Sequence, residues 1–345
     1  MDKIKFGIIG TGMIASTHAM ALKEISDAEL TACYDINPER AKSFAEKNGC
    51  KAFSDLDAFL SAVNTVTITT PSGAHLDVAL QAMDHGKNVV IEKPLEVTVA
   101  RCKELIGKAK EKNVVLSGIF QSRFHDAPRL IKNALEEGRF GKVVLIDAQI
   151  KWYRSQEYYD SVPWHGTKKL DGGGALMNQG IHAIDLLSWF GGDVDTVSGE
   201  CRTLAHTNIE VEDTAAAVLT FKSGALGVIE GTTSSWPGFF KRIEVSGTEG
   251  SAILEEESLK FWSFKNERPE DEEIRQKYSS LVTSGGGASD PKAISYHGHK
   301  KVFEDVIDAI KTGRKPLITG EEAMKSVAII EAVYKSSDEK KIIKL

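Results

Sequence analysis

The chain begins with a short apolar run, Ile4-Lys5-Phe6-Gly7-Ile8-Ile9, that stops at glycine. A helical pattern follows to about residue 25. Leu30 to Tyr34 predicts a second strand, and the Ala-, Glu- and Lys-rich stretch to about Lys47 predicts a second helix. Val66-Thr67-Ile68-Thr69, Asn88-Val89-Val90-Ile91 and Val114-Val115-Leu116 predict further buried strands with helical segments between them. Strands alternating with helices of this length imply βαβ units and a parallel sheet.

The pattern changes after about residue 142. Val144, Ile146, Ala148, Ile150 and Trp152 alternate with Asp147, Gln149 and Lys151, the period of two that marks a strand with one face exposed. Lys222-Ser223-Gly224 separates Leu219-Thr220-Phe221 from Ala225 to Ile229 and predicts a hairpin. Gly247-Thr248-Glu249-Gly250 divides Ile243 to Leu254 into another. Residues 255–300 are polar and irregular and include the Ser284-to-Pro291 run; they read either as a linker or as a loop over an active site. Two amphipathic helices, at about 300–311 and 321–336, close the chain. No internal repeat is visible.

Composition adds bounds rather than detail. A chain of 345 residues exceeds the size at which one core usually stops growing, so two domains are expected. The 41% hydrophobic and 27% charged content is that of a globular protein. A net charge of −6 argues against a nucleic acid or an anionic membrane as partner, while a local basic pocket still allows an anionic substrate. No signal-peptide core and no apolar run of roughly 20 residues is present. Cys33, Cys50, Cys102 and Cys201 are scattered without a CxxC pair, which suggests reduced thiols in a cytoplasmic protein. His297 and His299 form an HxH without a spaced carboxylate or cysteine, so no metal is expected there; a loop contribution to an active site is the better reading.

Gly10-Thr11-Gly12-Met13-Ile14-Ala15 lies between the first strand and the first helix. The first glycine permits a tight turn, the second admits a diphosphate close to the backbone, and Ala15 lets helix pack on strand. The N–H groups at that helix start favour the anion. Asp35 ends the second strand, where a carboxylate accepts hydrogen bonds from both ribose hydroxyls and repels a 2′-phosphate. NAD is therefore expected over NADP, with Arg40 nearby as the reservation. The expected fold is an α/β Rossmann domain over residues 1–122, then an α+β domain over residues 123–345 with a mainly antiparallel, partly open sheet. The helices from about residue 300 are expected to pack back towards the first domain.

Two segments carry candidate chemistry. Glu92-Lys93-Pro94 follows the fifth strand, at the carboxyl edge where open α/β sheets bind ligands. Pro94 biases Lys93 towards an extended backbone. A solvated turn is the plain alternative. Further on, Asp171-Gly172-Gly173-Gly174 leads into a helical pattern in which Asn178, His182 and Asp185 share one stripe. Gly180 inside it costs about 1 kcal/mol against alanine and implies a close approach. A structural histidine is the alternative there.

With these motifs together, the chain resembles the glucose–fructose oxidoreductase, inositol dehydrogenase and MocA family over nearly its whole length. Thr70-Pro71 with His75 and Glu92-Lys93-Pro94 match family segments. The tract from Trp152 through Arg154-Ser155-Gln156, Tyr158-Tyr159-Asp160 and Trp164 to His182 is most similar to the branch that oxidises nucleotide-linked amino sugars at C3. The resemblance implies that Lys93 and His182 are catalytic and that Gln121 lies near the nicotinamide. It also implies that Trp164 and His165 approach the cofactor. Asn178 stands where many members have aspartate, and His165 where arginine is common. Arg154, Tyr158, Tyr159, Asn178 and Gln179 become candidate substrate contacts beside Lys93 and His182. Either Lys93 or His182 takes the hydroxyl proton and the other stabilises the alkoxide. The implied partners are a sugar or nucleotide-sugar substrate and a second copy of the chain, as homodimer or homotetramer. A dehydrogenase of a free sugar, inositol or glycoside shares this apparatus, as does a redox-assisted glycoside cleavage. An NAD-sensing regulatory protein on the same fold is the non-enzymatic alternative.

Overall fold

A computed structural model describes residues 3–280 and 295–345. The Ser284-to-Pro291 run lies outside the described residues. The chain forms two compact units, Met1–Gln121 with Ser295–Met324, and Ser122–Ile294 with Lys325–Leu345. A single division after residue 122 therefore does not describe it, because residues 295–324 belong with the first unit.

In the first unit, β1 (Ile4–Ile9), β2 (Ala28–Tyr34), β3 (Lys51–Phe53), β4 (Thr65–Ile68), β5 (Asn88–Ile91) and β6 (Leu116–Gly118) form one parallel sheet in the order β3-β2-β1-β4-β5-β6. Strand β3 is an addition to the expected set, too short and too mixed in its residues to carry a pattern. The connecting helices are α1 (Met13–Lys23), α2 (Pro38–Asn48), α3 (Leu56–Ser61), α4 (His75–Asp84) and α5 (Val99–Lys112). Strands β1, β4 and β5 are almost wholly buried, as a sheet covered on both faces requires. Ala15 and Ala19 pack with Ile8, Cys33, Ala41 and Phe44 into one core cluster, and their small side chains bring α1 close to the sheet. Helix α2 starts cleanly. Asn37 accepts the N–H groups of Glu39 and Arg40, and Pro38 occupies the first turn, where its missing N–H is harmless. The sheet order reverses at β1, so the ends of β1, β4 and β5 flank the switch point at which such sheets hold ligands.

The second unit opens with α6 (Asp126–Glu136), then β7 (Val143–Lys151), α7 (Gln156–Asp160) and α8 (Ile181–Gly191). Strands β8 (Val194–Arg202), β9 (Thr214–Phe221), β10 (Leu226–Thr232), β11 (Arg242–Gly247), β12 (Gly250–Glu255) and β13 (Ser258–Phe264) come next, and then α9 (Pro269–Tyr278). Helix α10 (His297–Thr312) belongs to the first unit, the unit boundary falls inside α11 (Gly320–Glu339), and β14 (Ile343–Lys344) ends the chain. The sheet order is β13-β12-β11-β7-β10-β9-β8-β14, antiparallel except for the pairing of β7 with β10.

Ile146, Ala148, Ile150 and Trp152 are buried, whereas Val144 at the start of the alternation is exposed. Full burial of each isoleucine contributes about 1.5–3 kcal/mol. Helix α8 packs against β7, β10 and β11 on this face. Both expected hairpins form, as β9–β10 and β11–β12. The stretch 255–300 is not a plain loop, because it contains β13 and α9.

Candidate active site

The turn after β1 is built around Gly10. Its φ of +89° favours glycine, and an added Cβ would lie 2.9 Å from the backbone of Thr69 and Thr70. Gly12, the residue before α1, has nothing within 4 Å of the same position, which leaves room for a ligand against the backbone. Asp35 is buried at the end of β2. Its Oδ2 accepts the Thr11 N–H (2.8 Å) and hydroxyl (2.9 Å), and its Oδ1 accepts the Asn37 N–H (2.8 Å) and the Arg40 guanidinium (3.0 Å). Burial alone raises this carboxyl; the Thr11 and Asn37 donors, with Arg40, more than offset it and hold the group below its ordinary range. Arg40 remains more than half exposed, so its contact with Asp35 is a loose one.

Two buried acceptors in this unit, Thr70 Oγ1 and Gln121 Oε1, have no hydrogen-bond partner among the described residues. Such atoms are costly unless a ligand or water completes them, and they fit a polar cofactor along the ends of β4 and β6. Met13 is exposed and Ile14 half-buried at the start of α1. His75 is buried, with Nδ1 3.0 Å from the Pro94 carbonyl and Nε2 3.1 Å from the Thr70 carbonyl. Burial lowers its proton affinity, so the neutral ring donates to one of the two and braces the Thr70-Pro71 turn against Lys93-Pro94.

Lys93 is half-buried, and its peptide bond to Pro94 is cis. The Lys93 N–H donates to Glu92 Oε2 (3.0 Å). Glu92 is itself buried, with Oε1 2.7 Å from His18 Nε2 and 3.3 Å from His299 Nε2. Burial opposes the charge on Glu92, but the two imidazoles hold its carboxyl well below the usual range. His18 is kept neutral chiefly by burial, and its Nδ1 meets the Thr67 hydroxyl at 2.8 Å. The expectation that His299 lacks a carboxylate partner is therefore corrected. The partner, Glu92, lies far away in sequence, whereas His297 is exposed. The three polar atoms lie within 4.8 Å of one another, a geometry that hydrogen bonds account for.

In the second unit the expected regular helix begins as a wide turn. Ala175–Gly180 is π-helical and runs into α8. Gly180 is required for it, since an added Cβ would lie 2.9 Å from the Ala175 carbonyl. The buried carboxylate of Glu212 accepts the N–H groups of Gly174 (3.1 Å) and Leu176 (2.8 Å) and the Tyr334 hydroxyl (2.9 Å), anchoring the start of the turn. From Gly173 to Ser188 every residue is buried except Asn178 and His182. Asp185 does not share their exposure. It is paired with Arg123 through two bonds of 2.8 and 2.7 Å, both side chains 1% exposed, so the expected stripe stops at His182.

The aromatic tract divides likewise. Arg154 is buried, donating from Nη1 to the Tyr153 carbonyl and from Nη2 to Gln179 Oε1, each at 2.8 Å. Gln179 Nε2 then donates to the Tyr158 hydroxyl (3.1 Å), and the Tyr158 ring stacks on His165 at 4.5 Å. Trp164 meets His165 edge-on. Arg154, Gln179, Tyr158, His165 and Trp164 thus come together. Tyr159 turns inwards to the Thr233 hydroxyl (2.9 Å), and burial raises its phenol; it is a core residue. Sequence reasoning gave no role to Glu212, His18 or Arg123, because their partners lie in distant segments.

Comparison with known proteins matches this division. Residues 4–120 match the oxidoreductase family with an NAD-binding Rossmann fold, and residues 129–253 match the GFO/IDH/MocA C-terminal domain. Myo-inositol 2-dehydrogenase of Thermotoga maritima is 29% identical over 99% of this chain and 98% of its own. Glucose-6-phosphate 3-dehydrogenase of Bacillus subtilis is 30% identical over 61% of this chain and 59% of its own. Among solved structures, the WlbA dehydrogenase from Bordetella pertussis, in complex with NADH and UDP-GlcNAcA, superposes with a TM-score of 0.90. It is 32% identical and covers 100% of this chain and 98% of its own. No described helix is long and apolar enough to cross a membrane. With a matching glycine turn, ribose carboxylate and second unit, the chain belongs to the GFO/IDH/MocA oxidoreductase family and is an NAD-dependent dehydrogenase.

Proposed function

We propose that the substrate is a nucleotide-linked N-acetyl-hexosamine or its uronate, oxidised at a ring hydroxyl, with C3 the first position to examine. The observation that carries this reading is the likeness, over the whole chain, to a dehydrogenase solved with UDP-GlcNAcA. NAD, when bound, supplies the hydride acceptor. Gly10, Thr11, Gly12, Met13, Ile14, Asp35, Thr70, Pro71, Gln121, Trp164 and His165 are proposed to hold it, with His75 and Glu92 bracing the turns from behind. Lys93 and His182 are proposed as the acid–base pair, one taking the hydroxyl proton and the other stabilising the oxygen as charge develops.

Tyr158, Asn178 and Gln179 are proposed substrate contacts. Arg154, whose guanidinium already serves Gln179 and the Tyr153 carbonyl, is better suited to orienting them than to acting as an exposed fork. A cyclic polyol is the second reading, favoured by the similarity to myo-inositol 2-dehydrogenase over nearly the full length. A panel of UDP-GlcNAcA, UDP-GlcNAc, glucose 6-phosphate, free sugars and myo-inositol with NAD, followed by absorbance of the reduced cofactor, tests this. Turnover on the UDP sugars supports the first reading. Turnover on myo-inositol with none on UDP sugars overturns it.

A further inference from the structure

Asn178 has a fixed neighbour that defines which end of its amide is available. Its Nδ2 lies 2.5 Å from Oδ1 of Asp171, a side chain 1% exposed. Asp171 Oδ2 accepts the Gly166 N–H at 2.9 Å, and its own N–H donates to the Thr167 carbonyl at 3.0 Å. The carboxylate is thus clamped in a tight turn before it meets Asn178. A carboxylate only accepts hydrogen bonds, so the amide must present its NH2 to Asp171. In a planar amide, that directs Oδ1 to the other side. Asn178 is also one of the two side chains between Gly173 and Ser188 that are not buried, and His182 is the other.

We propose that Asp171 is a positioning residue: it locks the Asn178 amide so that Oδ1 is offered as a hydrogen-bond acceptor to a substrate hydroxyl. This rests on the reading of Asn178 as a substrate contact. The consequence is an acceptor with no charge of its own, backed by a buried carboxylate that keeps it from flipping. A free amide would offer donor and acceptor alike and would tolerate a carbonyl in the hydroxyl's place. The locked amide selects a donor, that is, an alcohol.

The test uses the intact chain with NAD and, in parallel, UDP-GlcNAcA and myo-inositol. Asp171→Asn removes the lock and should lower kcat/KM by about tenfold or more, the scale of losing one charge-assisted hydrogen bond. Asn178→Asp places two carboxylates at hydrogen-bond distance, where they must share a proton. That variant should gain a loss of activity towards high pH that the parent lacks. The exchange Asp171→Asn/Asn178→Asp restores one donor and one acceptor across the pair. It should recover activity to within about threefold of the parent, beyond the sum of the single effects. A merely structural role predicts neither the new pH limb nor the recovery.

Independently of substrate, the Asn178 side-chain amide protons in ¹⁵N-asparagine-labelled protein should be shifted downfield and protected from exchange, and Asp171→Asn should abolish both effects. The proposal is overturned if Asp171→Asn stays within about twofold of the parent, if the exchange is no better than the worse single variant, or if the amide shows no protection. Full activity in Asn178→Ala, with the amide signature intact, instead removes Asn178 from the site and overturns the proposal with it.

Discussion

Replacing Asp185 by asparagine separates a catalytic role from a structural one. The Arg123–Asp185 pair is fully enclosed, and the guanidinium makes two bonds to the carboxylate at 2.8 and 2.7 Å while lying 5.5 Å from the Trp189 ring. Asparagine keeps the volume, but it turns an NH2 towards the cation and removes the compensating charge. Breaking one side of a buried ion pair costs about 3–5 kcal/mol. At the lower end, each kcal/mol shifts the midpoint of a unit this large by about 2–4 °C, so thermal unfolding should move down by about 6–12 °C.

Circular dichroism against temperature reads this shift, and kcat/KM at a temperature where the variant remains folded reads catalysis. The structure predicts a large thermal effect with turnover changed less than about fivefold, since the pair lies off the exposed line of Asn178 and His182. Replacing both partners by apolar residues of similar size, Arg123→Met with Asp185→Leu, should restore most of the midpoint, because no buried charge is then left alone. An Asp185→Asn midpoint within about 2 °C of the parent, with turnover down by a hundredfold or more, would refute the reasoning and return Asp185 to the chemistry.

The same geometry sets other expectations. Isothermal titration should show NAD binding more tightly than NADP, with Asp35→Ala narrowing the difference; equal affinities in the parent would remove Asp35 from ribose selection. Lys93→Ala and His182→Ala should each lower turnover by at least about a hundredfold, with NAD affinity little changed in His182→Ala; full activity in either variant clears that residue. Stability should fall on acidification in two stages. His18 and His75 have folded proton affinities held below the ordinary 6.5 by burial, so the unfolded chain takes up protons first as pH falls through that value. Glu92, held well below 4.5, adds its loss below that pH, as the unfolded carboxyl protonates before the folded one. A midpoint constant from about pH 8 to pH 5 would contradict the first stage.

The sequence made visible those features that local periodicity and glycine chemistry control. The parallel strands are continuous apolar runs, and β7 shows its alternation because only one face is covered. Strand β13 and helix α9 escaped notice for the converse reason. Phe261 in β13 is exposed while Trp262 is buried, which confuses the alternation, and only Asp271 and Tyr278 of α9 are buried. Asp271 is held by Arg139 and the Trp262 indole, partners far off or on another element, so nothing local marks the helix as packed. Within the site, the glycine turn, Asp35 and the Lys93 turn were legible because a short segment carries each. The Glu92 cluster was not, since it joins α1, the end of β5 and α10. Asp185 was misread because helical spacing places a residue on a face without saying which group lies opposite it, and Arg123 lies opposite.

The wide turn from Ala175 to Gly180 makes this part of the chain sensitive to length rather than only to composition. A π-turn holds one more residue than the α-turn it replaces. Deleting a single residue there would let the segment relax into ordinary helix and rotate α8 by about 100°. Asp185 would leave Arg123, and His182 would be carried round into the packed face, with no side chain on either partner altered. Substitutions across Ala175–Gly180 can be absorbed one at a time, but an indel acts as a phase error on everything as far as Gly191. In aligning this chain with others, a gap placed inside the turn is therefore a claim about where His182 points.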